Sequence, residues 1–391
     1  MKLHEACEFI VDCPHSTAAD EGKGYPLIRT PNVGKGRLIL ENVHRVNERI
    51  YNQRNARAVP QDDDLIFARE APAGNVAIIK NGEKVCLGQR TVLIRPNKSI
   101  VDPDYLTYYL LAPQQQYGLT GTANGSTVAH VNLPTIRNLE IELPTLDIQH
   151  RIASVLSAYD DLIENNRRQI KLLEEAAQRL YKEWFVDLRF PGWETTPITD
   201  GVPEGWKKVT INEMCDKAKN TISAENIPTG TPYIGLEHIP RHDFCLAEWG
   251  DAADITSSKA KYKRNDIIFG QIRPYFHKVG FAINDGVAST DSFIMTPHEG
   301  VWGLFLLTVF SDAFVNYSYQ TCKEGAKMPR ADWNQMKQYT VLIADTQTQA
   351  VFEERIHHIT ERVRVLALQS RYLSEARDRL LPKLMGGEIE L

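Results

Sequence analysis

The side chains that could do chemistry in this chain are mostly cationic, and they are clustered. Arg29, Lys35, Arg37, Arg45, Arg49, Arg54 and Arg57 stand within one short stretch, against only Glu41 and Glu48. Lys259, Lys261, Lys263, Arg264, Arg273 and Lys278 form a second group against Asp266, with Tyr262, Tyr275, Phe276 and His277 among them. Arg90, Asn124, Ser126, Thr127 and His130 extend the first set, and Lys327 and Arg330 the second. Lys and Arg neutralise phosphates, while Arg, Asn, His and hydroxyls bond to base edges. One charge run is usually only a solvated face. Its recurrence in both halves points to a polyanion, and the net charge of -5 does not oppose this, because local clustering decides. The residues expected to meet nucleic acid are Arg29, Lys35, Arg37, Arg45, Arg90, Asn124, Ser126, Thr127, His130, Lys259, Lys261, Arg264, Arg273, Tyr275, Lys278, Lys327 and Arg330.

Catalytic signatures are weak. There is no GxxxxGK[ST] loop and no GxGxxG opening a helix after a strand. Asp102-Pro103-Asp104-Tyr105 is faintly similar to the [DN]PPY motif of amino-methyltransferases, but it lacks a glycine-rich cofactor loop and reads as a helix start. His238, His242 and Cys245 have metal-like spacing. Pro240 breaks the helix that an i, i+4 pair needs, so no metal is expected there. Asp62-Asp63-Asp64 reads as a solvated turn. The six cysteines form no CxxC and read as reduced cytoplasmic thiols. Met1 to Ser16 carries Glu5, Glu8 and Asp12 where a signal peptide would be apolar. The apolar run Val301 to Phe310 is too short to span a bilayer.

Two stretches must position these groups, Asp147 to Leu188 and Gln347 to Leu384. In the first, Ile152, Leu156, Tyr159, Ile163, Asn166, Ile170, Leu173, Ala177, Leu180 and Trp184 recur in 4,3 alternation. In the second, Phe352, Ile356, Ile359, Val363, Leu366, Ser370, Leu373, Arg377, Leu380 and Leu384 do the same. Sustained a/d spacing with charges between predicts coiled-coil helices, each on the order of 55–60 Å long. Antiparallel pairing about a midpoint near residues 168 and 368 would set Asn166 opposite Ser370, a polar seam pair that fixes register. It would also relate the two halves by a pseudo-twofold axis, with the globules at opposite ends of the rod.

Each helix follows a mixed globule. In the first, Leu65–Ala68, Val76–Ile79, Thr91–Ile94 and Leu139–Leu143 read as strands, Asp104 to Leu111 as a helix and Gly118 to Thr127 as a loop. The second repeats the order: Asp266–Phe269, Val279–Ile283 and Ser292–Met295 as strands, a helix from Trp302 to about Tyr319, a loop from Lys323 to Pro329, and a closing strand Thr340–Ile343. The fold class is therefore α/β (α+β): two similar mixed α/β globules joined by two long helices in an antiparallel coiled coil, with a pseudo-twofold internal repeat. The divisions are residues 1–146, the helix 147–189, a Pro/Gly linker 190–205, residues 206–346, and the helix and tail 347–391.

Several motifs carry a family resemblance. Leu143-Pro144-Thr145-Leu146-Asp147-Ile148-Gln149-His150-Arg151-Ile152 is similar to the helix opening of the specificity (S) subunits of type I restriction-modification systems. Leu380-Leu381-Pro382-Lys383-Leu384-Met385-Gly386-Gly387-Glu388-Ile389 resembles that family's ending, and Pro203-Glu204-Gly205-Trp206 the start of its target recognition domains. The second helix opening departs from the pattern, with Ile343-Ala344-Asp345 in place of Leu-Pro-x, although Gln349 keeps the Gln. The resemblance implies a non-catalytic, sequence-specific subunit that recognises a bipartite, asymmetric site on double-stranded DNA. It also implies two modification (methyltransferase) subunits and restriction (translocase/nuclease) subunits as partners, which would hold the S-adenosylmethionine, ATP and Mg²⁺. Trp184, Phe185, Phe190 and Trp193 are assigned to the partner interface, with packing between helix and globule as the alternative. The competing functional readings are a coiled-coil scaffold with peptide-binding globules and, less favoured, an autonomous modification enzyme.

Overall fold

The computed structural model describes residues 1–120, 130–218, 220–322 and 328–391. It divides into two compact units, residues 1–163 with 372–391, and residues 164–371. In chain order the first globule contains β1 (Cys7–Asp12), β2 (Tyr25–Ile28), β3 (Gly36–Arg37), β4 (Arg45–Val46), α1 (Glu48–Arg54), β5 (Leu65–Ala68), β6 (Val76–Ile78), β7 (Cys86–Leu87), β8 (Thr91–Pro96), α2 (Pro103–Leu111), α3 (Pro113–Thr120) and α4 (Leu133–Arg137). The long helix α5 (Leu146–Tyr181) follows and ends in a π-helical turn, Lys182–Val186. Then come β9 (Ile198–Thr199), β10 (Val202–Pro203), β11 (Lys207–Thr210), β12 (Cys215–Lys217), β13 (Thr221–Ile222), β14 (Pro232–Ile234), β15 (Cys245–Leu246), β16 (Gly250–Asp251), β17 (Lys259–Tyr262), β18 (Ile267–Gly270), β19 (Val279–Ala282), β20 (Gly286–Ala288) and β21 (Ser292–Pro297). Last are α6 (Trp302–Phe310), α7 (Asp312–Gln320), α8 (Trp333–Met336), β22 (Thr340–Ile343) and α9 (Thr346–Met385).

The internal repeat is explicit in the sheets. Unit 1 has a five-stranded sheet in the order β1-β8-β5-β6-β3, and unit 2 repeats it as β12-β21-β18-β19-β15. In both, the last strand joins its neighbour in parallel and the other pairs are antiparallel. These strands read as apolar runs because both faces are covered. Leu65 and Phe67 pack toward α2 with Ile78, Val92 and Ile94, while Ile66, Ala68 and Leu93 pack on the other side against Ile28 and Val33. A smaller sheet also recurs: β2 pairs β7 in parallel and β4 antiparallel, as β14 pairs β20 and β16. There the units diverge. Unit 2 adds β17 and β13 to that sheet, where unit 1 has the helix α1.

The long helices run antiparallel to each other within each unit. In unit 1, Asp160 of α5 meets Arg377 of α9; in unit 2, Asn166 meets Gln369, and Trp184 meets Phe352. Ile152, Leu156, Ile163, Asn166, Ile356, Val363 and Leu366 are buried; Tyr159, Ile170, Leu173, Leu180, Ile359, Ser370, Leu373 and Leu380 are half-buried. The expected Asn166–Ser370 pair is corrected by one residue. Asn166 Nδ2 donates to Gln369 Oε1 at 3.4 Å, while the short Ser370 hydroxyl donates to the Leu366 carbonyl of its own helix.

Other boundaries shift for identifiable reasons. Leu139–Leu143 forms no strand, only a single bridge from Glu140 to Lys2, because the turn Leu3–Ala6 bends the partner segment away at once. The matching segment of unit 2, β22, pairs with β11 over four residues. Gly118 to Thr120 ends α3 instead of opening a loop, and the rest of that predicted loop lies outside the described residues. The helix predicted from Trp302 to Tyr319 breaks at Ser311, which terminates α6 and caps α7 by accepting the Phe314 N–H. The linker contains a tight hairpin, β9 and β10, whose Asp200 and Gly201 take φ of +50° and +72°.

Candidate nucleic-acid interface

The first basic cluster is only partly available to a ligand. Lys35 is exposed and borders a cavity of about 220 Å³ with Asn75, Tyr108 and Gln116. Arg37, by contrast, is committed inside the fold. It pairs with Asp161 at 2.9 Å and Asp104 at 3.5 Å and is 17% exposed. Burial alone would lower its pKa, but these acids together with Tyr108 and Asp160 hold it above the ordinary arginine value. Its assignment to nucleic acid is therefore corrected to an internal ion pair. Arg45 is half-buried and donates to the Gly24 carbonyl; Arg29 is half-buried, with an unpartnered Nε. Arg54 is buried and bonded to the carbonyls of Leu87, Ser16 and Pro14. Arg49 stays exposed on α1.

Arg90 and His130 come together although they are far apart in sequence. Both contact Glu70, and His130 also contacts Arg69, which pairs with Asp12 at 2.9 Å. Asn124, Ser126, Thr127 and Lys327 lie outside the described residues.

In unit 2, Lys261 is exposed on β17, and Arg264 is 54% exposed with a 3.5 Å contact to Glu361. Lys259 is 9% exposed, bonded to Ser257 and set over the Tyr233 ring, so it braces the small sheet and is corrected to a structural role. Arg273, Tyr275 and Lys278 lie on and beside one 3-10 turn, Pro274–Phe276. Tyr275 is 45% exposed and rests against Phe276 and Tyr319. Lys278 donates to the Leu236 carbonyl; burial, with Arg241 nearby, lowers its pKa. Arg330 is 53% exposed and pairs with Asp291 at 2.7 Å. Arg241 was not among the predicted residues, yet its guanidinium lies 3.9 Å from the Phe276 ring centroid. No local signal marks it, because its partner lies on another segment.

The aromatic group at the end of α5 is also corrected. Trp184, Phe185 and Phe190 are buried against Phe352 and Trp206, with centroids 4.5 to 5.6 Å apart. They form core between helix and globule, and only Trp193, at 42% exposure, remains at the surface.

The remaining motifs resolve into structure. Asp102 caps α2 by accepting the Tyr105 N–H. Asp64 pairs with Arg95, Asp63 with Lys80 and Lys98, and Asp62 accepts the Gly82 N–H, so the acidic run is internally satisfied. His238 accepts the Gly235 N–H and Cys245 is buried in β15, so those two do not join His242. The glutamines of the two helix openings are anchors. Gln149 is buried and accepts the Asp102 N–H, while Gln349 accepts the Ala344 N–H and orients Glu353, which receives the Gly303 and Leu304 N–H groups. Among the described residues, no helix is long and apolar enough to cross a membrane.

Residues 2–175 match the family described as type I restriction modification DNA specificity domain. The specificity subunit of the type I restriction enzyme MjaIX from Methanocaldococcus jannaschii is 25% identical over 373 residues, covering 90% of this chain and 83% of that one. The HindI specificity subunit of Haemophilus influenzae is 17% identical over 405 residues, covering 85% and 88%. The crystal structure of the S subunit from M. genitalium shares the fold, with a TM-score of 0.55 at 14% identity over 98% of this chain and 95% of that one. Residues 2–175 thus carry the match to the DNA specificity domain, and over most of its length the chain is similar to specificity subunits of type I restriction-modification systems, whose fold of repeated sheets and paired long helices it shares.

Proposed function

We propose that the chain binds double-stranded DNA and reads a bipartite, asymmetric site, with residues 1–146 as one recognition domain and residues 206–346 as the other. The observation that carries this reading is a single strand order used twice with different exposed edges. Lys35, Arg49 and Arg90 project from the first copy; Lys261, Arg264, Tyr275 and Arg330 from the second. Equivalent frameworks with unlike rims suit unlike half-sites. The cations neutralise phosphates and set position, while base-edge contacts from the loops supply sequence preference. Arg241, held on Phe276, extends the second rim.

On this reading the chain supplies no catalytic group and acts in the cytoplasm. Two modification subunits methylate adenine and restriction subunits cut, and S-adenosylmethionine, ATP and Mg²⁺ belong to them. Trp193 is the aromatic residue left to meet such a partner. The test is coexpression with the modification subunit, followed by mapping of methylated adenines across the host genome. A split motif with a fixed gap is expected. A complex that binds S-adenosylmethionine but methylates nothing would favour the scaffold reading. Affinity for DNA should also fall steeply with salt, by about 0.9 log units per log unit of salt for each phosphate neutralised.

A further inference from the structure

His242, His277 and Asp312 come from three separate segments of unit 2, and one ligand atom of each lies within 4.8 Å of the others. His277 is only 4% exposed, and its Nε2 lies 2.6 Å from the Phe310 carbonyl oxygen. A carbonyl can only accept, so Nε2 carries the hydrogen and a neutral ring keeps its lone pair on Nδ1. That atom faces Asp312 Oδ1 at 3.3 Å. Two acceptors at this distance repel unless a cation lies between them.

The backbone around the cluster is specialised as well. His242 and His277 both adopt left-handed φ, 63° and 53°. Such conformations are strained for a residue with a β-carbon and persist where the surroundings enforce them. Here they bring the two rings to a centroid separation of 4.4 Å, and the His242 N–H donates to the His277 carbonyl at 3.3 Å.

We propose that His242, His277 and Asp312 form a binding site for a zinc-type divalent cation. Two imidazole nitrogens and one carboxylate oxygen are a donor set that suits Zn²⁺, with water as a fourth ligand. The bond from His277 Nε2–H to a backbone carbonyl is the outer-shell contact that fixes the tautomer of a metal-binding histidine. Tetrahedral ligation brings donor atoms to roughly 3.3 Å from one another. The closing movement falls to His242 and Asp312, whose side chains are exposed, while His277 stays fixed. The ion would clasp the turn bearing Arg273 and Tyr275 to the start of α7. This inference goes beyond the DNA-reading proposal, and its test uses no DNA.

The full chain, stripped with a chelator, is titrated with Co²⁺ and then Zn²⁺. One equivalent of Co²⁺ with visible absorption typical of tetrahedral coordination is expected, displaced by one equivalent of Zn²⁺, with a Zn²⁺-dependent rise in the unfolding midpoint. His242→Asn and Asp312→Asn, both at exposed side chains, should each weaken binding by more than about tenfold while leaving the metal-free midpoint unchanged. His357→Ala, on the exposed face of α9, should bind as the parent does. No saturable binding, or binding that survives both the His242 and Asp312 substitutions, would overturn the proposal.

Discussion

The two units use one backbone plan but different chemistry where α5 meets α9. In unit 1, Asp160 is 3% exposed, pairs with Arg377 and accepts the Tyr108 hydroxyl at 2.6 Å. Gly36 leaves room for it, because a β-carbon there would lie 2.6 Å from Asp160 Oδ2. Shifting each position by 200 (160 to 360, 377 to 177) gives Thr360 and Ala177 in unit 2, both buried and uncharged. There the buried charges sit elsewhere. Glu174 is 2% exposed and accepts the Phe244 N–H at 3.0 Å, and Arg364 is 3% exposed with its Nε and Nη1 lacking a hydrogen-bond partner. Even the equivalent strands differ, since Arg37 occupies the pairing position on β3 that Cys245 holds on β15. The strand order has been kept while the polar contacts that tie each globule to its helices have been rewritten. Each unit therefore has its own weak points.

The largest expected effect lies in unit 1. Arg377→Ala leaves Asp160 buried without its cation and should cost about 3–5 kcal/mol in urea unfolding. Asp160→Thr combined with Arg377→Ala copies the unit 2 solution and should cost less than Arg377→Ala alone. A double mutant as damaging as the sum of its parts would break the comparison.

Unit 2 should answer to pH instead. Burial, with Asp243 nearby, pushes the Glu174 carboxyl up from 4.5 to about 8. Below pH 4.5 the group is protonated in both the folded and unfolded states, so it carries no penalty. As pH rises from 4.5 to about 8 the unfolded chain releases a proton that the folded chain keeps, so stability falls. The loss amounts to about 5 kcal/mol and is complete above the folded pKa. Glu174→Gln should flatten this slope in thermal unfolding measured across that range. An unchanged slope would remove Glu174 from the account.

A smaller effect is expected at Gly303, where an added β-carbon would lie 2.7 Å from Ile356 Cγ2 and so push α6 off α9. Gly303→Ala should destabilise unit 2 by about 1–3 kcal/mol, read as an earlier urea midpoint. Smallest of all are the rim cations. Lys261→Ala and Arg264→Ala should each lower DNA affinity only a few-fold and reduce the salt slope by about 1. A slope unchanged by both would detach that edge from DNA.

Much of this architecture was legible in the sequence. Leu65–Ala68 and Asp266–Phe269 announced their strands because a sheet covered on both faces needs unbroken apolar runs. The helix seam was legible from its heptads, and the structure keeps its register to within one residue. What was hidden depends on contacts between distant segments. Asp160 looks like a solvent-facing helix residue until Gly36 and Tyr108 enclose it. Arg37 looks like part of a basic patch until Asp104 and Asp161 neutralise it. Trp184 and Phe185 looked available to a partner, but Trp206 and Phe352 lie across the helix end. His242 was paired in the sequence with its neighbours His238 and Cys245, whereas its companions in space come from two later segments.

The central claim is that each unit reads its own half of one DNA site. Replacing residues 206–346 with the corresponding segment of a known type I specificity subunit, in a complex that methylates, tests it most directly. The account predicts that the methylation map changes one half of the split motif and keeps the other half intact. A motif altered in both halves, or in neither, would contradict it.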